Sequence, residues 1–229
     1  MLRISLEKGE EGFEILKNSL IEDRESFLEN NFIKNRKDII TLILLDRNVI
    51  FERVPEKSSF FIKDNIFWIK AQYPAVLSSS LAGRYEKPSL FPKGEFLISY
   101  FRSFTSESLA KRDWIINEIP YALINSILKL KGNEEYKNIQ LRGHTVLYKN
   151  KKVLAEETFY NSSSVFFDCQ IHLDWNQESW DIYDKYCSEF KSAYEKGNLL
   201  SLLNISREEF LKVFISELEN LEYFIKIME

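Results

Sequence analysis

Residues 147–175, "LYKNKKVLAEETFYNSSSVFFDCQIHLDW", decide the fold of this chain. Three runs rich in apolar, β-branched and aromatic residues are separated by a basic break at residues 149–152 and a polar break at residues 161–164. Such runs between short polar breaks are typical of strands joined by tight turns. The stretch therefore predicts three consecutive antiparallel strands, with Lys151 and Lys152 at the point where the second strand begins.

Helices and further strands are predicted on both sides of this stretch. Helical patterns occupy residues 10–35, 106–132, 176–197 and 198–229, and strand patterns occupy residues 38–54, 61–77 and 96–104. Pro120 is expected to kink its helix or to mark a boundary. Ser206, followed by Glu208 and Glu209, predicts a helix start. Helices clustered around runs of adjacent strands favour an α+β fold with a mixed, largely antiparallel central sheet flanked by helices.

The composition excludes several classes of protein. The chain has 229 residues, of which 45% are hydrophobic and 29% charged, and its net charge of -4 gives no basic field for nucleic acid. Two cysteines suit a reducing compartment, and neither a signal peptide nor a membrane-spanning run is found. We expect a cytoplasmic protein without membrane association, built as a domain at residues 1–190 with a C-terminal helical segment, 191–229, packed on it. The sequence leaves the oligomeric state open.

The common catalytic and nucleotide-binding motifs are absent from the sequence. Neither of the two histidines has a cysteine or histidine partner at metal-ligand spacing, so we expect no metal site and no permanently bound cofactor. Neither G-x-x-x-x-G-K-[ST] nor G-x-G-x-x-G occurs. Lys152 is the remaining candidate, because a lysine that enters a strand beside a sheet face can contact a carboxylate or phosphate or polarise a carbonyl. The alternative is that residues 149–152 form a solvated turn.

The motifs of residues 141–175 follow a definite order. Arg142–Gly143–His144 precedes the basic turn, Lys152–Val153 opens the next strand, and Asp168–Cys169 and then Asp174 follow on the third. This order is similar to the R-N-D strand, the K-[IV]-x-G turn, the H-G pair and the downstream acid of the lipoate-protein ligase, octanoyltransferase and biotin ligase catalytic family. Residues 93–101 and 197–214 resemble further segments of that family more weakly.

The resemblance implies a biotin-ligase-like or class II synthetase-like sheet flanked by helices. It also implies transfer of a lipoyl or octanoyl group, from an acyl-adenylate or an acyl-carrier thioester, to a lysine of an acyl-carrier or lipoyl-domain protein. Lys152 takes the role of the family lysine that contacts the acyl carbonyl, and Arg142 is expected on the neighbouring strand. Further substrate contacts are implied at Gly143, His144, Gly83, Arg84, Ala155 and Asp168.

The family's glycine-rich loop is not retained in this sequence. In the family this loop wraps the acyl chain and phosphate with backbone N–H groups, whereas residues 81–94 here keep only Gly83 and Arg84. Side chains at the expected glycine positions, Tyr85–Lys87, obstruct close backbone approach, and Glu86 repels a phosphate. The alternative function is therefore a catalytically inactive ligase-fold protein that serves as a binding or scaffold module.

The cysteines and histidines have two interpretations each. One branch of the resembled family transfers octanoyl groups through a cysteine thioester, so Cys187 and Cys169 are candidate nucleophiles, with buried structural residues as the alternative. His144 is a candidate base or a locally hydrogen-bonded strand residue. His172 is expected to share a strand face with Asp174 as a surface or packing pair.

Overall fold

The computed structural model describes most of the chain in eight ranges: residues 2–8, 38–45, 47–53, 59–71, 88–103, 117–160, 164–187 and 194–221. The predicted helix at residues 10–35, the first half of the predicted helix at 106–132, and Gly83 and Arg84 lie outside these ranges. The strands in chain order are β1 (Leu2–Lys8), β2 (Asp38–Leu44), β3 (Val49–Arg53), β4 (Ser59–Lys63), β5 (Ile66–Ala71), β6 (Ser89–Phe91), β7 (Phe96–Ser103), β8 (Ile139–Arg142), β9 (Thr145–Tyr148), β10 (Lys151–Tyr160) and β11 (Ser164–Ile171). The described α-helices are α1 (Glu118–Lys131), α2 (Gln177–Tyr186), α3 (Leu199–Leu203) and α4 (Arg207–Glu219), and a 3-10 helix spans Asn133–Asn138.

Two sheets organise the described part of the chain. The larger has the order β1-β2-β7-β11-β10-β9-β8, and only its β1–β2 pair is parallel. The smaller has the order β4-β5-β3-β6, with β3 and β5 parallel. The predicted α+β class and the mixed, largely antiparallel sheet are confirmed, as are the three antiparallel strands of residues 147–175.

One face of the large sheet builds the main core. Leu42, Ile98 and Cys169 are register partners across β2, β7 and β11, and all three are buried in one hydrophobic cluster. That cluster also contains Leu123 of α1 and Phe214 of α4. Since partners across an antiparallel pair share a face, this face of the sheet lies against the helices.

A second cluster joins the smaller sheet to α2. It contains Ile50 and Trp68 from the sheet, Trp175 from the segment after β11, and Cys187 at the end of α2. The ring of Trp175 meets that of Trp180 edge to face at 5.3 Å between centroids. Trp175 thus packs against α2, to which Trp180 belongs.

The helix boundaries follow local chemistry. Pro120 is the third residue of α1, where its missing N–H has no partner to lose, so it marks a boundary. Ser206 caps α4 by accepting a hydrogen bond from the backbone N–H of Glu209 at 3.1 Å, as its position in the sequence predicts. Both α3 and α4 contribute residues to the main core. The division of the chain at residue 190 stays a prediction.

Ser206→Ala should lower the free energy of unfolding by about 1 kcal/mol, because one backbone N–H at the start of α4 loses its acceptor. Urea unfolding of the wild type and the variant measures the difference. Ser216→Ala, at an exposed position within the same helix, is the matched control and should change the free energy by less than about 0.5 kcal/mol. Equal losses in the two variants would contradict the capping role.

Candidate active site

Four ionisable side chains meet at one end of the large sheet. We call Glu95, Lys152, His172 and Lys196 the buried polar cluster. Glu95 precedes β7, Lys152 is the second residue of β10, His172 follows β11, and Lys196 lies in the loop before α3. Of the predicted site residues that lie in the described ranges, only Lys152 belongs to it.

Strand register brings Glu95 and His172 together. Phe96 pairs with Ile171 across β7 and β11, so the residues just beyond them stand opposite each other. Nδ1 of His172 lies 2.7 Å from Oε1 of Glu95, and both side chains are 0% exposed. Gly94, with φ +86°, makes the turn before β7 that delivers Glu95 to this place.

A β-bulge at Val153 sets the direction of Lys152. Lys152 pairs with Leu147 and Leu154 pairs with Val146, so Val153 is one extra residue in β10. Val153 and Leu154 are both fully buried in the main core. Without the extra residue Lys152 and Leu154 would share a face, and the bulge separates them. Lys152 consequently points away from the helical core.

The loop before α3, which includes Glu195, Lys196 and Gly197, docks on the start of β10, and we call it the docked loop. The N–H of Lys152 donates to the carbonyl of Glu195 at 2.8 Å, and the N–H of Gly197 donates to the carbonyl of Lys152 at 2.8 Å. A Cβ on Gly197 would lie 3.0 Å from Cγ1 of Val153, so only glycine allows this close approach without displacement. Lys151, the first residue of β10, forms an ion pair with Glu195, so it is a strand residue that holds the loop in place rather than a turn residue.

Docking of this loop places Lys196 over aromatic rings. Its Nζ lies 3.7 Å from the ring centroid of Trp175 and 4.8 Å from that of Tyr183. The negative face of an aromatic ring attracts an ammonium group. The cluster is therefore walled on one side by apolar surface that excludes water.

Burial and mutual proximity shift the pKa of every member. Burial raises the pKa of Glu95 well above its usual value, and Lys196 and Lys152 oppose this. Burial lowers the pKa of His172 well below its usual value, and the same two lysines lower it further. Burial also lowers the pKa of Lys152, and lowers that of Lys196 to about 7, with Glu95 opposing in both cases. Clustered groups of shifted pKa are typical of functional sites.

Two polar atoms of the cluster have no hydrogen-bond partner among the described residues. They are Nε2 of His172 and Oε2 of Glu95. Buried polar atoms are nearly always hydrogen-bonded, so these two need a reason. A pair of lysines facing one carboxylate also leaves the cluster able to hold an anion. Chemically, the arrangement can bind a carboxylate or phosphate and exchange a proton at Nε2.

Arg142, Gly143 and His144 do not join the cluster. Arg142 lies on β8, and β9 separates β8 from β10, so the expectation that Arg142 is on the strand next to Lys152 is wrong. Arg142 is exposed and hydrogen-bonds Gln140 on its own strand. His144 lies in the β8–β9 turn, 3.3 Å from Oδ1 of Asn117, and burial lowers its pKa.

Ala155 and Asp168 lie further along β10 and β11. Ala155 is buried and pairs with Gln170, while Asp168 pairs with Glu157 two positions beyond. Their substrate contacts stay predictions.

The two cysteines are both buried and free of disulfides. Cys169 lies in the main core on the helical face of the sheet, away from Lys152. Burial raises the pKa of Cys187 to about 12. A thiol that stays protonated is a poor nucleophile, so the surroundings of Cys187 fit the structural alternative better.

Sequence reasoning missed Glu95, His172 and Lys196 as members of one site. His172 was expected to pair with Asp174, but β11 ends at Ile171, and Asp174 instead accepts a hydrogen bond from Asn198 at 3.0 Å. A signal was present for His172, which stands between the apolar Ile171 and Leu173, whereas Glu95 only follows the polar Lys93–Gly94 before the strand pattern begins. The sequence gives no indication that Lys196 belongs to the site, because it lies in a polar loop where a lysine is expected.

Comparison with solved structures places this site in a known fold. No family model matches the sequence, and no curated protein matches it. A lipoate-protein ligase A structure bound with ATP aligns over 100% of this chain and 88% of its own, with a TM-score of 0.57 and 12% identity. A structure from the archaeal lipoylation system of Thermoplasma acidophilum, which comprises a bi-partite lipoate protein ligase and its E2 lipoyl domain, aligns over 99% of this chain and 87% of its own, with a TM-score of 0.57 and 14% identity. LipL1 of P. falciparum in complex with lipoate aligns over 99% and 66%, with a TM-score of 0.55 and 12% identity.

The chain has the fold of lipoate-protein ligases. The resemblance drawn from residues 141–175 is thereby confirmed for the fold. Within the described ranges, three or more metal-ligating side chains do not gather anywhere. Among the described helices, none has the length and apolar character to cross a membrane.

The buried His172 should make stability depend on pH. Its pKa is lowered in the folded state, so the unfolded chain binds a proton first as the pH falls, and stability is lost below about pH 6.5. His172→Gln removes this loss. Urea unfolding at about pH 7 and about pH 5 should show a larger fall in the free energy of unfolding for the wild type than for the variant. His144 titrates in both proteins and cancels, and an equal fall in both would contradict a buried neutral His172.

Proposed function

We propose that the protein transfers a lipoyl or octanoyl group to a lysine of a carrier domain, with Lys152 holding the activated acyl group. The observation that carries the proposal is the place of Lys152 in a lipoate-protein ligase fold. Lys152 is half-buried at the start of β10 and directed away from the helical core. The residue that the sequence resemblance singles out is thus also the candidate that lies in a cluster of shifted pKa.

The chemistry of Lys152 suits an activated acyl group. An ammonium on a partly desolvated strand can donate to the acyl carbonyl and to the phosphate of an adenylate, and its effect grows as water is excluded. Lys196, whose pKa burial lowers to about 7, adds part of a second positive charge at neutral pH. Burial raises the pKa of Glu95, which reduces the negative charge that opposes the two lysines. The cluster therefore favours an anionic or polarised ligand over a neutral one.

The solved structures that align with this chain suggest what donates and what accepts the acyl group. One was solved in complex with lipoate, another bound with ATP, and a third belongs to a lipoylation system whose ligase has an E2 lipoyl domain. We carry these over as a proposal: lipoate with ATP, or an octanoyl thioester of a carrier protein, supplies the acyl group, and a lipoyl domain accepts it. Two free, buried cysteines suit a reducing compartment, so we place the reaction in the cytoplasm.

A second candidate function is a binding module without catalysis. Tyr85, Glu86 and Lys87 favour it, because they stand at the positions where the resembled family has the glycines of its phosphate loop. Under this alternative the protein binds an acylated ligand or a lipoyl domain and releases it unchanged.

Wild-type protein incubated with an unmodified lipoyl domain should raise the domain's mass by one lipoyl or octanoyl group. One reaction contains lipoate and ATP, and the other contains octanoyl-carrier protein. Lys152→Ala should lower the transfer rate about a hundredfold, since a donor to the developing oxyanion is lost. Intact mass spectrometry measures the product over time, and Lys212→Ala, at a surface position of α4, is the matched control.

The outcomes separate the two candidates. A mass gain that Lys152→Ala loses and Lys212→Ala keeps supports transfer, and the productive donor identifies the reaction. No gain with either donor, together with a rise in thermal stability on adding lipoyl-adenylate, supports the binding module. A gain that survives Lys152→Ala undiminished would remove Lys152 from the proposal.

A further inference from the structure

The geometry around His172 resembles a catalytic dyad rather than a structural hydrogen bond. Nδ1 of His172 is held 2.7 Å from the Glu95 carboxylate, and Nε2 has no hydrogen-bond partner among the described residues. Both side chains are fully buried. In a base oriented by an acid, one ring nitrogen is fixed by the carboxylate and the other is left to take a proton.

The neighbours of His172 keep its ring in one position. The ring packs edge to face on Trp175 at 5.5 Å between centroids. The backbone N–H of His172 donates to Val153 at 3.0 Å, and its carbonyl accepts from Leu199 at 3.0 Å. A base held this firmly needs no reorganisation when charge develops on it.

We propose that His172, oriented by Glu95, is the general base that takes the proton which the incoming carrier lysine loses when it attacks the acyl group beside Lys152. This inference rests on the proposed function and adds to it the group that receives the proton. His172 is the catalytic residue, and Glu95 is a positioning residue that acts through it.

The step balances without any further reactant. A bond forms between Nζ of the carrier lysine and the acyl carbonyl carbon. The bond from that carbon to the phosphate oxygen of the adenylate, or to the thioester sulfur, breaks, and its electron pair leaves with the phosphate or thiolate. The carrier lysine arrives as an ammonium and gives one proton to Nε2 of His172 as Nζ attacks. The second proton, lost from the nitrogen once the new bond has formed, leaves with the phosphate or thiolate. The positive charge on His172 faces Glu95 across the contact at Nδ1.

The charged groups that face His172 set its protonation. Glu95 faces it from the turn before β7, Lys152 from β10 and Lys196 from the docked loop. Burial and the two lysines lower the pKa of His172, which favours the neutral ring. In the tautomer whose Nδ1–H donates to Glu95, the lone pair of Nε2 is left to accept a proton. Glu95 opposes the cost of the charged form once the proton arrives.

The test measures single-turnover transfer from preformed lipoyl-adenylate, and separately from octanoyl-carrier protein, to a lipoyl domain between about pH 6 and about pH 9. His172→Gln should transfer about a hundredfold more slowly near neutral pH. The deficit should shrink as the pH rises, because the acceptor lysine, with a pKa of about 10.4, then arrives unprotonated more often. Glu95→Gln keeps the shape and one acceptor but not the charge, and should show a smaller deficit with the same pH trend.

Hydroxylamine provides a second acceptor that separates a base from a structural role. It is already unprotonated at neutral pH, so it has one proton fewer to lose than a lysine ammonium. His172→Gln should therefore transfer to hydroxylamine with a much smaller deficit than to the lipoyl domain. Glu178→Gln, an exposed carboxylate on α2, is the matched control and should follow the wild type in every assay.

The outcomes are distinguishable. A deficit of the same size at every pH and with both acceptors would overturn the role of His172 as a base and leave it structural. If His172→Gln does not fold, as judged by its thermal melt, the pH trend of Glu95→Gln decides in the same way. If the wild-type protein transfers no acyl group, with either donor, to the lipoyl domain or to hydroxylamine, the proposed function is wrong, and this inference is wrong with it.

Discussion

The antiparallel register of β7, β11 and β10 is the constraint on which the rest of the structure depends. It assigns alternate residues of these strands to opposite faces, so that Ile98 and Cys169 join the helical core while Gln170 and Ala155 pair on the other side. The same register carries beyond the strand ends and sets Glu95 opposite His172. One set of backbone hydrogen bonds therefore fixes both the apolar core and the polar cluster.

The docked loop before α3 completes what the register begins. It pairs with the start of β10 through two backbone hydrogen bonds, and it brings Lys196 over Trp175. A buried carboxylate costs several kcal/mol of desolvation unless opposite charges compensate it. Lys152 and Lys196 offset part of that cost from two different elements, and the pKa of Glu95 stays raised well above its usual value. The loop is thus an electrostatic part of the site as well as a cover over β10.

Local patterns made most of the fold predictable, whereas the site depends on long-range contacts. The strands around the basic turn, the cap at Ser206 and the boundary at Pro120 each follow from a few consecutive residues. Glu95 and His172 are 77 residues apart in the sequence, and their meeting depends on strand order, which no local pattern encodes. Lys152 was found because a family motif surrounds it. The position of Arg142 was misjudged because β9 intervenes between β8 and β10.

Stability alone does not explain the Glu95–His172 pair. A buried polar atom without a partner costs about 1–3 kcal/mol, and Nε2 of His172 and Oε2 of Glu95 each have none among the described residues. Apolar residues of similar volume at the two positions would avoid this cost and extend the surrounding hydrophobic packing. Departures from the rules of stable packing concentrate at functional sites. The pair is therefore better explained by a functional role than by a contribution to stability.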